Sequence, residues 1–144
     1  MTWASLSRNG KSSIAFVDSK FDSSRYQEIL DANLLPFFSA SDVFQQDNAP
    51  VHVSISTRKW LAENNINCLS WPSMSPDLNL MENVWGILSR RVYANSKQFD
   101  NKKQLISAIQ REWNVLSEKE IKNLFDGIPD RIFKCISNKG QIIN

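Results

Sequence analysis

The sequence predicts an α/β fold, and three patterns predict it. Strand-like runs flank an Asn-Gly turn near the N-terminus, strand and helix periodicities then alternate, and from Ser75 onward the pattern is helical. Residues 2–7 and 12–18 flank Arg8-Asn9-Gly10-Lys11, a strong short hairpin signal. Ile14, Phe16 and Val17 give the second run strand character. Ser24-Arg25-Tyr26-Gln27 fits a capping box, and Tyr26, Ile29, Leu30, Leu34 and Phe37 trace one apolar helix face before Pro36 and Ser39 close it. Val43 to Gln46 reads as a short strand, with Asp47-Asn48-Ala49-Pro50 as the turn at its carboxyl end. A helix is expected over 54–64 and another strand over Ile66 to Trp71, ended by Pro72. Ser75 is expected to cap the next helix, with Pro76 in its first turn and Leu78, Met81, Trp85, Leu88 and Val92 facing inward. Leu105, Ala108, Ile109, Trp113 and Leu116 mark a further helix, and Ser117 to Glu120 is a second capping box. Gly127 and Pro129 should break that helix before a last short one ending near Gly140. The order β-β-α-β-α-β-α-α-α gives one domain over 1–144, with extra helices at its C-terminal end.

Composition narrows the function classes. Hydrophobic residues make up 42% and charged residues 22%, as in ordinary globular proteins. No apolar run approaches the roughly 20 residues of a membrane span, and no secretory signal opens the chain, so an intracellular protein is expected. Cys68 and Cys135 are too few for a disulfide framework or zinc motif and read as small buried hydrophobes. Trp60, Trp71, Trp85 and Trp113 are expected in the core. Charge is uneven: residues 1–87 hold six Lys/Arg against nine Asp/Glu, and residues 88–144 hold eleven against six. A basic C-terminal half attracts phosphate backbones. Arg90, Arg91, Lys102 and Lys103 are candidate DNA contacts, with solvated helix surface as the competing reading.

Two carboxylates are the candidates for chemistry. Asp47 ends a strand, where α/β sheets gather ligands, although Asp-Asn is also a common turn pair for local reasons. Glu82 lies close in angle to the apolar stripe of its helix, so it either reaches water at the rim or meets a cation. Thirty-four residues separate the two. A pair of hard oxygen ligands from separate elements suits Mg2+ or Mn2+, ions that serve phosphoryl transfer.

The segments "FQQDNAPVH" and "WPSMSPDLNLMENVWG" closely resemble the catalytic domain of Tc/mariner DDE transposases, and the spacing of Asp47 and Glu82 resembles the Tc branch. "MTWASLSRNGK", "SSRYQEILDANLLPF" and "RRVYANSKQFDNKKQLISAIQREW" resemble that family too, so the likeness covers nearly the whole chain. The resemblance implies an RNase H-like fold, a mixed sheet flanked by helices. It implies Asp47 and Glu82 as second and third catalytic, metal-binding acids of a two-metal Mg2+ or Mn2+ site. Asn48 and His52 fall at family-typical positions, where they would orient Asp47 or contact DNA. It further implies DNA cleavage and strand transfer at transposon ends and target DNA, in the nucleus.

Two departures accompany the likeness. Position 80 is Leu where the family usually has Pro, and Leu is the better helix former. The family's first catalytic Asp lies on the first strand, upstream of the segment resembling Met1 to Ser7, and neither Asp18 nor Asp22 matches its position. The chain is therefore expected to be a truncated, inactive fragment, without that strand and without an N-terminal helix-turn-helix domain. Metal binding should be weakened, and the uncovered sheet edge should invite self-association into homo-oligomers. Two other readings stand beside it: a non-catalytic DNA-binding or dimerising remnant co-opted by the host, and another RNase H-like nuclease.

Overall fold

The computed structural model describes residues 1–18, 20–72 and 75–140. Four two-residue strands come first: β1 (Thr2–Trp3), β2 (Leu6–Ser7), β3 (Gly10–Lys11) and β4 (Ala15–Phe16). Six α-helices follow: α1 (Ser23–Ile29), α2 (Ile55–Glu63), α3 (Leu80–Val92), α4 (Lys102–Val115), α5 (Glu118–Asp126) and α6 (Ile128–Ser137). The chain divides into two compact units, Met1–Ser5 with Lys11–Met74 and Leu6–Gly10 with Ser75–Asn144.

In the first unit the expected hairpin forms, but a bulge interrupts it. β1 pairs antiparallel with β4, Thr2 opposite Phe16 and Trp3 opposite Ala15, and the Ser12 amide then donates to the Ser5 carbonyl at 2.9 Å. Two steps along one strand thus answer three along the other, which leaves one extra residue near Ser13. The Ser5 amide donates to the Ser12 hydroxyl instead of a carbonyl, at 2.9 Å, and the Ser13 hydroxyl bonds Asn33 Oδ1 at 2.7 Å. The strand expected over 43–46 and the one over 66–71 meet only in a parallel bridge, Phe44 to Cys68. The Asp47 turn follows that bridge within three residues, which leaves no length for a longer ladder.

Helix α1 starts two residues earlier than the expected capping box. Asp22, not Ser24, is the cap, and its carboxylate accepts from the Arg25 amide at 3.0 Å. Residues Leu30–Leu34 continue α1 as a π-turn, in which the Leu35 amide reaches back to the Leu30 carbonyl at 3.0 Å. Tyr26, Leu30 and Leu34 from this segment build the core with Phe44, Leu61 and Ile66, and Trp3, Trp60 and Cys68 pack around it. Burial pushes the Cys68 thiol pKa up. Both cysteines are free and half-buried.

In the second unit the expected cap of α3 and the first half of its stripe shift, while Leu88 and Val92 are buried as expected. Pro76–Leu78 is a single 3-10 turn, and Asn79 caps α3 in place of Ser75, accepting from the Met81 amide at 3.0 Å. The buried stripe is Leu80, Val84, Leu88 and Val92, while Met81 and Trp85 are half-buried at its edge. Leu80 is therefore both the first helical residue and a core residue. Trp85 stacks on the buried Trp113 of α4, their rings 6.2 Å apart. Of the four tryptophans expected in the core only Trp113 is fully enclosed, and Trp60, Trp71 and Trp85 are half-buried. Ser117 and Glu120 form the capping box of α5 as expected. Gly127 and Pro129 then separate α6 from α5, so four helices close the chain.

Candidate active site

Asp47 stands where the bridged strand turns. Its Oδ1 accepts from the Ala49 amide at 3.0 Å, a local Asx turn, and lies 2.6 Å from His52 Nδ1. Both bonds fall on Oδ1, so Oδ2 keeps its lone pairs for another partner. The Asp47 side chain retains 57% of its exposure and His52 only 17%, so the carboxylate is open while the imidazole is packed. The packing comes from Tyr26, whose ring lies 4.4 Å from that of His52. The Tyr26 hydroxyl donates to Gln46 Oε1 at 2.6 Å, and Gln46 Nε2 donates onward to the His52 carbonyl at 3.3 Å. Burial, above all, pushes the Tyr26 phenol pKa well above its ordinary value. The turn is thus fastened to the core of the first unit by one buried phenol and one amide. Asn48 bonds elsewhere, its Nδ2 donating to the Trp71 carbonyl at 3.0 Å.

Glu82 belongs to the second unit. It is the third residue of α3, exposed, with its amide donating to the Asn79 carbonyl at 3.1 Å. The question posed by its sequence position resolves in favour of the rim: the stripe turns away from it, and a carboxylate in a first helical turn is favoured by the helix dipole. Neighbouring Asn83 takes a hydrogen bond from Arg131 of α6, whose guanidinium also reaches the Asp77 carbonyl at 3.3 Å. Arg131 therefore pins the helix start that presents Glu82.

The four candidate DNA contacts divide. Arg91 pairs with Glu120 of α5 and is partly enclosed, whereas Arg90, Lys102 and Lys103 are exposed. Lys102 and Lys103 open α4. Among the described residues no group of three or more His, Cys, Asp or Glu side chains is gathered as for a metal ion. Asp47 and Glu82 still have the chemistry of hard-metal ligands, as exposed carboxylates on anchored backbone. Tyr26, Gln46, Asn79, Asn83 and Arg131 escaped sequence reasoning. Asn79, a preferred capping residue just before Leu80, was the one with a local signal.

The family model described as DDE superfamily endonuclease matches residues 2–106. The chain belongs to that superfamily, in its Tc/mariner group. It is 40% identical to the transposable element Tc3 transposase of Caenorhabditis elegans over all of its own length and 45% of that relative's. It is 31% identical to the Tcb2 transposase of Caenorhabditis briggsae, over 97% of this chain and 52% of the relative. The DDE chain therefore spans about half the length of the curated relatives it matches. Among solved structures, the catalytic domain of Mos1 mariner transposase superposes with a TM-score of 0.84 at 18% identity, covering 99% of this chain and 75% of that one. The Mos1 strand transfer complex gives 0.85 at 19% identity, covering 99% and 43%. The fold is accordingly the RNase H-like fold that the motifs imply. Mos1 has been solved as a paired end complex with Mn and, as its catalytic domain, with Mg. No helix among the described residues is long and apolar enough to cross a membrane.

Proposed function

We propose that this DDE chain contributes Asp47 and Glu82 to metal-dependent cleavage and strand transfer of DNA, acting in the nucleus on transposon ends and target DNA. The observation that carries the reading is the Asp47 turn, an exposed carboxylate held by the Ala49 amide and the His52 ring. Asp47 and Glu82 would hold Mg2+ or Mn2+. When bound, such ions stabilise the attacking and leaving oxygens of an in-line phosphoryl transfer. His52 keeps Oδ1 oriented, and the Tyr26–Gln46 pair keeps the turn from rotating. Asn79 and Arg131 fix the start of α3 so that Glu82 is presented from rigid backbone. With two motif acids rather than three, these 144 residues by themselves are proposed to bind the ion weakly and not to turn over.

Mn2+ titration followed by electron paramagnetic resonance, alongside a nicking assay on supercoiled DNA, tests both parts. Asp47→Asn and Glu82→Gln should each abolish ion binding, with Glu82→Gln, at an exposed position, changing stability by less than about 0.5 kcal/mol. Ion binding unaffected by both substitutions would remove the metal assignment. Metal-dependent nicking by the 144-residue chain, lost in Asp47→Asn, would overturn the proposed inactivity. The co-opted DNA-binding remnant predicts instead salt-sensitive DNA binding with no response to divalent ions.

A further inference from the structure

We infer that the segment joining α3 to α4 is a binding site for an unpaired DNA strand, separate from the two acids. An open hollow of about 440 Å³ lies there, lined by Lys97, Phe99, Asn101, Lys103, Gln104 and Arg111 among others. The Phe99 ring lines it, and a second aromatic ring packs against Phe99. Tyr93, at the end of α3, is half exposed, and its ring meets that of Phe99 edge-on at 5.8 Å. The Lys97 ammonium sits 5.3 Å from the centre of the Phe99 ring, within cation–π range. Lys103 and Arg111 bring two more positive charges from the first and third turns of α4. Glu112 takes the Nε of Arg111 at 3.2 Å, and Asp100 is engaged by the Gln104 amide at 3.4 Å.

The turn that presents Lys97 is held in an unusual shape, with Asn95 and Ser96 both left-handed at φ 57° and 56°. Two consecutive non-glycine residues in that region are costly, and such outliers concentrate at sites that bind. Cations beside exposed aromatic rings are the combination that holds single strands: the charges track phosphates and the rings take base faces. A duplex keeps its base faces stacked inside, so it would use the lysines and leave Tyr93 idle. That difference selects the unpaired strand as the occupant.

The inference rests on the reading of this chain as a DNA-binding DDE domain, and the experiment separates the two. Fluorescence anisotropy with a labelled single strand of about 12 nucleotides, its duplex and the matching RNA strand, all in EDTA across a salt series, reads each affinity. Tyr93→Leu should weaken single-strand binding about fivefold, the low end for base–aromatic stacking, and leave duplex binding unchanged. Lys97→Ala with Lys103→Ala should lower the single-strand salt slope by about 1.4, at about 0.7 per phosphate contact. Circular dichroism melts of each variant confirm that it folds, and Lys103→Glu, at an exposed position, is a second probe expected to weaken single-strand binding. Equal loss of duplex and single-strand binding in Tyr93→Leu, or no loss of either, overturns this site while leaving DNA binding intact. Tighter binding of the RNA strand overturns its assignment to DNA. Absence of binding to any of the three overturns the DNA reading itself.

Discussion

Replacing Tyr26 by Phe removes a single oxygen from the middle of the first unit and tests how the Asp47 turn is supported. Tyr26 has no exposed surface, and its hydroxyl donates to Gln46 Oε1 at 2.6 Å. The substitution deletes a bond worth a net 0.5–1.5 kcal/mol and leaves a part-buried acceptor unpaired, so a loss of about 1–2 kcal/mol is expected. With a urea m-value of about 2 kcal/mol/M, the denaturation midpoint should fall by roughly 0.5–1 M. A double-mutant cycle of Tyr26→Phe with Gln46→Ala should return a coupling of about 1 kcal/mol. The pH dependence provides a second check. The unfolded phenol has its ordinary pKa of 10.0 and the folded one lies higher because of burial. Its stabilising contribution is therefore complete below pH 10 and is lost as pH rises toward the folded value, by up to about 1.4 kcal/mol per pH unit. Phe carries no such proton, so the gap between parent and variant should narrow above pH 10. A coupling below about 0.3 kcal/mol, or a gap that widens in alkali, would refute the assignment of Tyr26 as the anchor of the turn.

Three further outcomes follow from the second unit. Glu120→Ala cuts the Ser117 capping box and strips Arg91 of its partner, at a cost of about 1–2 kcal/mol in urea denaturation. The Ser117 amide and hydroxyl, then Arg91, hold the Glu120 carboxyl below its usual 4.5. That contribution is present above the usual value and disappears as pH falls through the lowered one, so parent and variant should converge in acid. Leu88→Ala opens a cavity in the buried stripe of α3 and should cost about 2–5 kcal/mol in the same assay. Arg8→Ala breaks the 2.6 Å pair with Asp126, but both side chains are about half exposed, so the loss should stay below about 0.5 kcal/mol and vanish in high salt.

What the residues revealed in advance was what local chemistry determines. Asn9-Gly10 marked the hairpin, Ser117 and Glu120 marked the start of α5, and the Asp47 and Glu82 motifs marked the family. The bulge at Ser13 was hidden because it depends on which carbonyl the Ser12 amide finds across the ladder. The π-turn after α1 has no periodic signature, since Leu30 and Leu34 keep helical spacing on either reading. Leu88 and Val92 were placed correctly in the stripe of α3, but its first half was set one residue late because Met81 and Trp85 are apolar enough to mimic it. Position 80 decided the matter: Leu80 could fill the buried site, and Trp85 moved to the edge against Trp113. The clamp of Arg131 on Asn83 joins residues 48 apart, a distance over which no sequence pattern is informative.

Glu82 closes no capping box, fills no core and pairs with no cation in its own helix, because Asn79 already serves the end of α3. Its loss therefore gives up only the small dipole contribution of a first-turn carboxylate, too little for quality control that reads folding to act on. A gene copy that loses this carboxylate still yields a protein that chaperones and proteases accept. Copies with and without the carboxylate would accumulate side by side in the same cell at nearly equal abundance.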